Sequence, residues 1–387
     1  MNEAPAHVPT SLVVDFDLYN DPGFADDVHA TIAGAVARFP PVCFTLRNGG
    51  HWLVFGRTAL QQVLGDTERF SSRQLSLQPG ASTAPRFIPL SLDPPDHAPY
   101  RNLLLKHLGP KEIRGLEPFI RGWAERLIAP LEGRTECDFV AEVAEAMPVS
   151  VFMEMMGLPL DRFHEFRGLV INALTPRTPP EERMTLHGRI MAVLSEVIQA
   201  RSAEPRDDLV SKLLSERIEG RPLSQEEMFS ICYLLFLAGL DTVTNAMAYG
   251  MRHLAGDPAL QARLRADPAL IPAAVEDLMR RFTFVNTVRV AVKDTELDGV
   301  AIKDGDLLAC VLWGGSNGGE DTRQFGFGHG PHTCLGMHLA RTELRIMYET
   351  WFAHIGEFSP GEQPSGACHG GTVMGISSVP LRLGAAA

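Results

Sequence analysis

The chain has 387 residues, enough for two or three domains of about 150 residues or for one large mixed domain. Apolar residues make up 45 % and charged residues 21 %, a globular composition that excludes disorder and collagen-like architecture. With 35 Lys and Arg against 47 Asp and Glu the formal charge is −12, so no general attraction to nucleic acid or to an anionic membrane follows, and any anion site must be locally basic.

Residues 1–15 lack the basic start and continuous apolar run of a secretion signal. Val42-Cys43-Phe44-Thr45-Leu46 and Trp52-Leu53-Val54-Phe55 flank Asn48-Gly49-Gly50, which predicts a tight hairpin because Asn and Gly accept positive φ. Helical periodicity then runs from Arg101 to about Arg281, with the stretches 139–156 and 190–201 carrying apolar residues three and four apart. It is interrupted at Thr175-Pro176-Arg177-Thr178-Pro179-Pro180, where prolines remove donors and crowd the preceding turn, and a surface loop is predicted there. The longest apolar run, 231–240, falls short of the roughly 20 residues a bilayer span needs and ends at Asp241. Six scattered cysteines without a C-x-x-C pair suit a reducing compartment, and the reading is a soluble cytoplasmic protein without disulfides.

From Val288 to Leu312 short alternating runs punctuated by Asp298-Gly299 and Asp304-Gly305 predict one or two hairpins. After Cys334 a last helix places Leu335, Leu339, Met347, Trp351 and Ile355 on one face and leaves Arg341 and Glu343 to others. No repeat or linker divides the sequence, so one domain over residues 1–387 is expected, mainly α with a small β portion (α+β).

Three segments carry chemistry. In Phe325-Gly326-Phe327-Gly328-His329-Gly330-Pro331-His332-Thr333-Cys334-Leu335-Gly336, glycines and a proline lead to one cysteine opening a helix, where the helix N-terminus favours a thiolate and hence a soft metal. A buried inert cysteine is the alternative; a zinc knot of His329, His332, Cys334 and His338 has spacings that do not match paired ligands. At Ala238-Gly239-Leu240-Asp241-Thr242 an acid and an alcohol end an apolar helical run; they either cap the next segment or serve a ligand that the small Ala238 and Gly239 admit. In Asp93-Pro94-Pro95-Asp96-His97-Ala98-Pro99-Tyr100-Arg101, His97 and Arg101 stand four apart on one helical face.

Together these segments resemble the cytochrome P450 family, whose signature F-G-x-G-x-H-x-C-x-G matches residues 327–336, and the likeness extends over nearly the whole chain. The resemblance implies the P450 fold, with haem b (iron protoporphyrin IX) between the oxygen-activation helix and the cysteine loop. It implies that Cys334 is the axial iron ligand, with Phe327 beside the sulfur, Gly328 and Gly336 letting the loop turn, and His97, Arg101, Arg289 and His332 on the haem propionates. Thr242 then hydrogen-bonds dioxygen and Asp241 feeds protons. Two departures stand out: the family's E-x-x-R pair reads Asp277-Leu278-Met279-Arg280, with Glu276 a second candidate partner for Arg280. The segment between Gly314 and Phe325 is also short, with Arg323 a candidate for its usual arginine.

Asn48-Gly49-Gly50-His51-Trp52, Phe87-Ile88-Pro89 and Gly239-Leu240-Asp241-Thr242-Val243 are similar to the bacterial camphor hydroxylase subgroup, which implies a small terpenoid substrate. Pro85 stands where that subgroup holds a ketone with tyrosine, which speaks against camphor itself. By similarity the pocket is lined by Phe87, Leu234, Leu237, Ala238, Val285, Val288, Thr372 and Val373. The expected function is a monooxygenase hydroxylating a monoterpenoid or ionone-like norisoprenoid with O2. Electrons come from a 2Fe-2S ferredoxin and its reductase, docked on the local basic stretch Arg101, Lys106, His107, Lys111 and Arg114 of a monomer. A haem-thiolate sensor without turnover, or a monooxygenase of another small hydrophobic or aromatic substrate, is the alternative; a sensor has no use for Asp241 and Thr242.

Overall fold

The computed structural model describes residues 3–77, 86–174, 179–318 and 323–384. Helices dominate: α1 (Val28–Arg38), α2 (Arg57–Gly65), α3 (His97–Leu108), α4 (Pro110–Ile128), α5 (Ala146–Met156), α6 (Phe163–Leu174) and α7 (Pro180–Ala203). They continue as α8 (Leu209–Ser215), α9 (Gln225–Leu240), α10 (Thr242–Ala255), α11 (Pro258–Ala266), α12 (Ile271–Arg281), α13 (Leu312–Asn317) and α14 (Met337–His354). Their starts are written in the sequence: Asp27, Asp208 and Asp257 accept hydrogen bonds from first-turn amides, and Ser224 with Glu227 forms a capping box at the head of α9. The prolines at 175–180 divide α6 from α7 as expected, with Pro180 the first residue of α7; residues 175–178 lie outside the described residues.

The strands are β1 (Val13–Val14), β2 (Val42–Thr45), β3 (His51–Val54), β4 (Phe70–Ser71), β5 (Glu136–Asp138), β6 (Arg217–Ile218), β7 (Arg221–Pro222) and β8 (Asn286–Ala291). They end with β9 (Thr295–Leu297), β10 (Val300–Ile302), β11 (Leu307–Val311), β12 (Phe358–Pro360), β13 (Cys368–His369), β14 (Gly375–Ile376) and β15 (Pro380–Leu383). The largest sheet runs β1-β2-β3-β11-β8-β4. Both predicted hairpin regions form: β2 pairs antiparallel with β3 across Asn48, Gly49 and Gly50, all at positive φ, and β9 with β10 across Asp298 and Gly299. β8 and β11 pair antiparallel around that second hairpin, so one sheet joins residues 42–54 to residues 286–311.

α9 and α10 run nearly end to end from Gln225 to Ala255 and are together long and apolar enough to cross a bilayer by length and composition, which the ten-residue run in the sequence conceals. About 53 % of the most apolar stretch is buried inside the protein, so this pair reads as an interior helix. α14 packs against α4, α12 and α10. Its face carrying Met347 and Trp351 is buried as predicted, and Glu343, which periodicity leaves to another face, is also only 1 % exposed.

That carboxyl has one oxygen without a hydrogen-bond partner, and burial pushes its pKa up from 4.5 to about 8. The sign follows directly. Below the ordinary carboxylate value both folded and unfolded chains hold the proton; above it the unfolded chain releases a proton that the folded chain keeps, so stability falls as pH rises from about 4.5 towards about 8. Glu343→Gln is expected to remove this loss, on the order of 1.4 kcal/mol per pH unit across that window. Thermal melts of both proteins at pH 5 and pH 8 check it; an equal Tm difference at the two pH values refutes it.

Candidate active site

Five of the six cysteines are buried and free, whereas Cys334 is exposed. The thiol is nonetheless surrounded by protein atoms: burial pushes its pKa up, while the amides of Gly336 and Met337 and the guanidinium groups of Arg101 and Arg341 pull it down. The sulfur is thus accessible and yet largely desolvated. α14 begins at Met337 with Gly336 at its cap, so the two amides that face the sulfur belong to the start of this helix and oppose the upward push of desolvation.

The loop before the sulfur is held by its backbone. Gly328 and Gly330 sit at positive φ, and a Cβ on Gly330 would stand 2.4 Å from the Leu64 carbonyl oxygen, so the loop rests directly on the end of α2. The Cys334 amide donates to the Phe327 carbonyl at 2.8 Å, and a Cβ on Gly336 would lie 3.9 Å from Sγ.

In the interior helix pair, α9 ends and α10 begins at Asp241, a single bend whose φ of −101° and ψ of −31° stay in the helical region. Thr242 Oγ1 donates to the Ala238 carbonyl at 3.0 Å, and Asn245 Nδ2 donates to the Asp241 carbonyl at 3.0 Å. Ala238 is exposed although its helix runs through the core, which marks an open space beside it. Gly239 does not serve that space as expected: a Cβ there would meet the Phe152 ring of α5 at 2.8 Å, so this glycine permits helix packing while Ala238 faces the opening. Burial raises the Asp241 carboxyl above its usual value, against the opposing pull of His369 and Asn245.

A third group of side chains is cationic and short of anions. His97 and Arg289 are buried at 2 % and 3 % exposure, and the His97 and His332 rings lie 4.3 Å apart. His332 Nε2 and Arg289 Nε are buried without a hydrogen-bond partner. Burial, then Arg289, His97 and Arg101, pushes His332 down to about 3. Arg101 donates to the Thr333 carbonyl at 2.7 Å, tying this group to the cysteine loop. The carboxylate felt by both His97 and Arg289, Asp93, is engaged with the Ser71 hydroxyl and the Ser72 amide. Four groups able to donate hydrogen bonds to anions, two of them with orphaned nitrogens, beside an accessible cysteine fit a cofactor bearing two carboxylates and a soft metal. Among the described residues no set of three or more His, Cys, Asp or Glu side chains is placed to hold a metal ion by itself, which argues against the zinc alternative.

A family model described as "Cytochrome P450" matches residues 177–317. The probable cytochrome P450 127A1 of Sinorhizobium fredii is 34 % identical over 98 % of this chain and 97 % of its own length. The chain is a cytochrome P450. Among solved structures, CYP101J2 and CYP101C1, each 33 % identical, superpose with TM-scores of 0.90 and 0.91 over 99 % of this chain and all of theirs. They belong to the camphor-type subgroup whose residues the sequence resembles. This P450 is therefore an oxidoreductase of the monooxygenase type, and its cofactor is haem b.

The pocket candidates fall on two hydrophobic clusters. Phe87 and Leu237 pack with one, whereas Val285, Val288 and Val373 pack with the other, Val285 and Val373 being joined by a β-bridge. Leu234 is half-buried on α9, and Thr372 is exposed with its hydroxyl 3.4 Å from Tyr19 Oη. Pro85 lies outside the described residues. Phe87 stacks on Tyr233, with centroids 5.6 Å apart and planes 10° apart, and the Tyr233 hydroxyl bonds to His187 Nδ1, contacts that no motif in the chain signals.

The P450 structure decides the E-x-x-R question. Asp277 pairs with Arg280 at 2.8 Å and with Arg281 at 2.6 Å, and Arg280 also donates to Asn317 Oδ1 at 3.1 Å; Glu276 instead binds Arg341. Arg323 shares a cleft with Glu276, Asp277, Arg280 and Gln324, and its carbonyl accepts from Arg57 at 3.0 Å; residues 319–322 lie outside the described residues. Within the basic stretch predicted for docking, Arg101 turns to the cysteine loop and Lys106 and His107 both bind Glu216 at 3.0 Å, while Lys106, Lys111 and Arg114 are exposed.

Proposed function

We propose that this P450 hydroxylates a small apolar terpenoid, a monoterpenoid or ionone-like norisoprenoid, with O2 and electrons from a 2Fe-2S ferredoxin. The observations that carry the reading are the exposed Ala238, whose carbonyl takes the Thr242 hydroxyl, and the accessible Cys334 with Arg101 beside it. Apolar walls with few polar groups orient a substrate by shape. Likeness to the CYP101 structures supports the same substrate class and electron donor.

In this reading Cys334 holds the haem iron, and His97, Arg101, Arg289 and His332 hold its propionates. Bound there, the cofactor supplies oxygen activation by a thiolate-ligated iron. The chain's own residues do the rest. Phe87, Leu237, Val285 and Val373 exclude water and fix the substrate against Ala238. Thr242, whose hydroxyl is parked on the Ala238 carbonyl, can turn its proton toward the open space beside that residue, and Asp241 at the helix break replenishes it, since burial keeps that carboxyl protonated to higher pH than an exposed one. A sensor needs neither group.

Titrating the ferric holoprotein with a terpenoid panel is the direct test. At least one member is expected to shift the Soret band to shorter wavelength as the iron-bound water leaves, and to yield a hydroxylated product when ferredoxin, its reductase and NADH are added. No spectral response to any terpenoid, with a response to aromatic compounds, overturns the substrate class.

A further inference from the structure

The cysteine loop is gripped from one side by a single carboxylate. Glu276, on α12, receives Arg341 Nε at 2.5 Å and Arg341 Nη2 at 3.0 Å, a two-pronged contact, and also accepts from the side-chain amide of Gln324 at the start of the loop. The Arg341 guanidinium lies over the Phe327 ring, 4.7 Å from its centroid. Phe327 in turn takes the Cys334 amide on its carbonyl at 2.8 Å. Glu276, Arg341, Phe327 and Cys334 thus form a continuous chain of contacts. The neighbouring Asp277 plays no part in it, being committed to Arg280 and Arg281.

We infer that the Glu276–Arg341 pair is a positioning and electrostatic device for the axial ligand, which sets the reduction potential of the haem iron through the charge of Arg341 held over Phe327. The inference rests on Cys334 being the iron ligand. Bond by bond, Glu276 fixes the guanidinium, the guanidinium fixes the ring, and the ring's backbone fixes the amide of the ligand. Arg341 places a positive charge on the sulfur side of the cofactor, which favours the more reduced, more negative state of the iron; Glu276 partly cancels it. The two side chains are 35 % and 44 % exposed, so the pair is not a buried structural bridge whose loss unfolds the protein.

The geometry makes a prediction that a purely mechanical brace does not share, because both single substitutions break the same ion pair. Arg341→Met removes the positive charge and is expected to lower the potential of the holoenzyme, whereas Glu276→Gln leaves Arg341 uncompensated and is expected to raise it. Each shift should approach tenfold in the one-electron equilibrium, about 59 mV. Arg341→Lys keeps the charge but not the two-pronged contact and should return most of the way to the parent value. Spectroelectrochemical titration of the four proteins reads this, with the reduced carbon monoxide spectrum as control. Shifts of the same sign in Arg341→Met and Glu276→Gln, or no shift in either, overturn the inference. Should Glu276→Gln fail to take up haem, the comparison of Arg341→Met with Arg341→Lys still decides, equal potentials for these two counting against it. A parent protein without a thiolate-type carbon monoxide band removes the ligand assignment instead, a distinguishable failure.

Discussion

Cys334→Ser protein, reconstituted with haem, reduced and exposed to carbon monoxide, is expected to lose the red-shifted Soret band of thiolate-ligated haem completely and to form no hydroxylated product above the haem-free background. The sulfur is the only exposed one among six, and the Gly336 and Met337 amides and the Arg101 and Arg341 guanidinium groups oppose the upward push of burial on its pKa. A serine hydroxyl is a far harder and less acidic donor, so neither the electron donation nor the tight ligation survives. The cationic group formed by His97, Arg101, Arg289 and His332 is untouched, so some haem should still bind by its carboxylates, and the spectrum of that residue is the informative readout. An unaltered carbon monoxide spectrum in Cys334→Ser would refute the ligand assignment.

The second large effect lies at the break between α9 and α10. Thr242→Ala is expected to keep electron consumption near the parent rate while product per electron drops roughly tenfold, because the hydroxyl that directs the proton is gone. Asp241→Asn should slow turnover by about 10²-fold, the loss of a positioned acid. Burial raises the Asp241 carboxyl, so the parent rate should fall as pH climbs through that raised value and the proton donor is depleted. The Asn variant should lack this limb. Measured product yields and pH profiles settle both; an unchanged yield per electron in Thr242→Ala refutes the role given to that hydroxyl.

The parts of the site legible in the sequence were those fixed by short-range chemistry. Glycines at positive φ and a proline marked the cysteine loop, and the acid and alcohol at 241 and 242 interrupted an apolar run. What stayed hidden depends on residues far apart in the chain. Glu276 and Arg341 are 65 positions apart, and the adjacent acid Asp277 gave the more obvious match. The partner of Lys106 and His107 in the basic stretch, Glu216, could not be read because it lies 110 and 109 positions away. The burial of Glu343 was not legible because periodicity counts apolar residues and cannot recognise a buried carboxyl whose pKa burial pushes up. The role of Gly239 turned on Phe152, a ring from another helix.

The stack of Phe87 on Tyr233 bears on anyone wishing to retune this catalyst for bulkier or differently shaped compounds. In the proposed pocket the aromatic wall at Phe87 is anchored from behind, since the phenol of Tyr233 is itself tethered to His187 and flanked by Phe229. Saturation libraries at position 87 alone would therefore sample a rim whose foundation does not yield. Diversity has to be introduced at 87 and 233 in concert, with 187 retained or exchanged as a third partner, before new shapes become accessible.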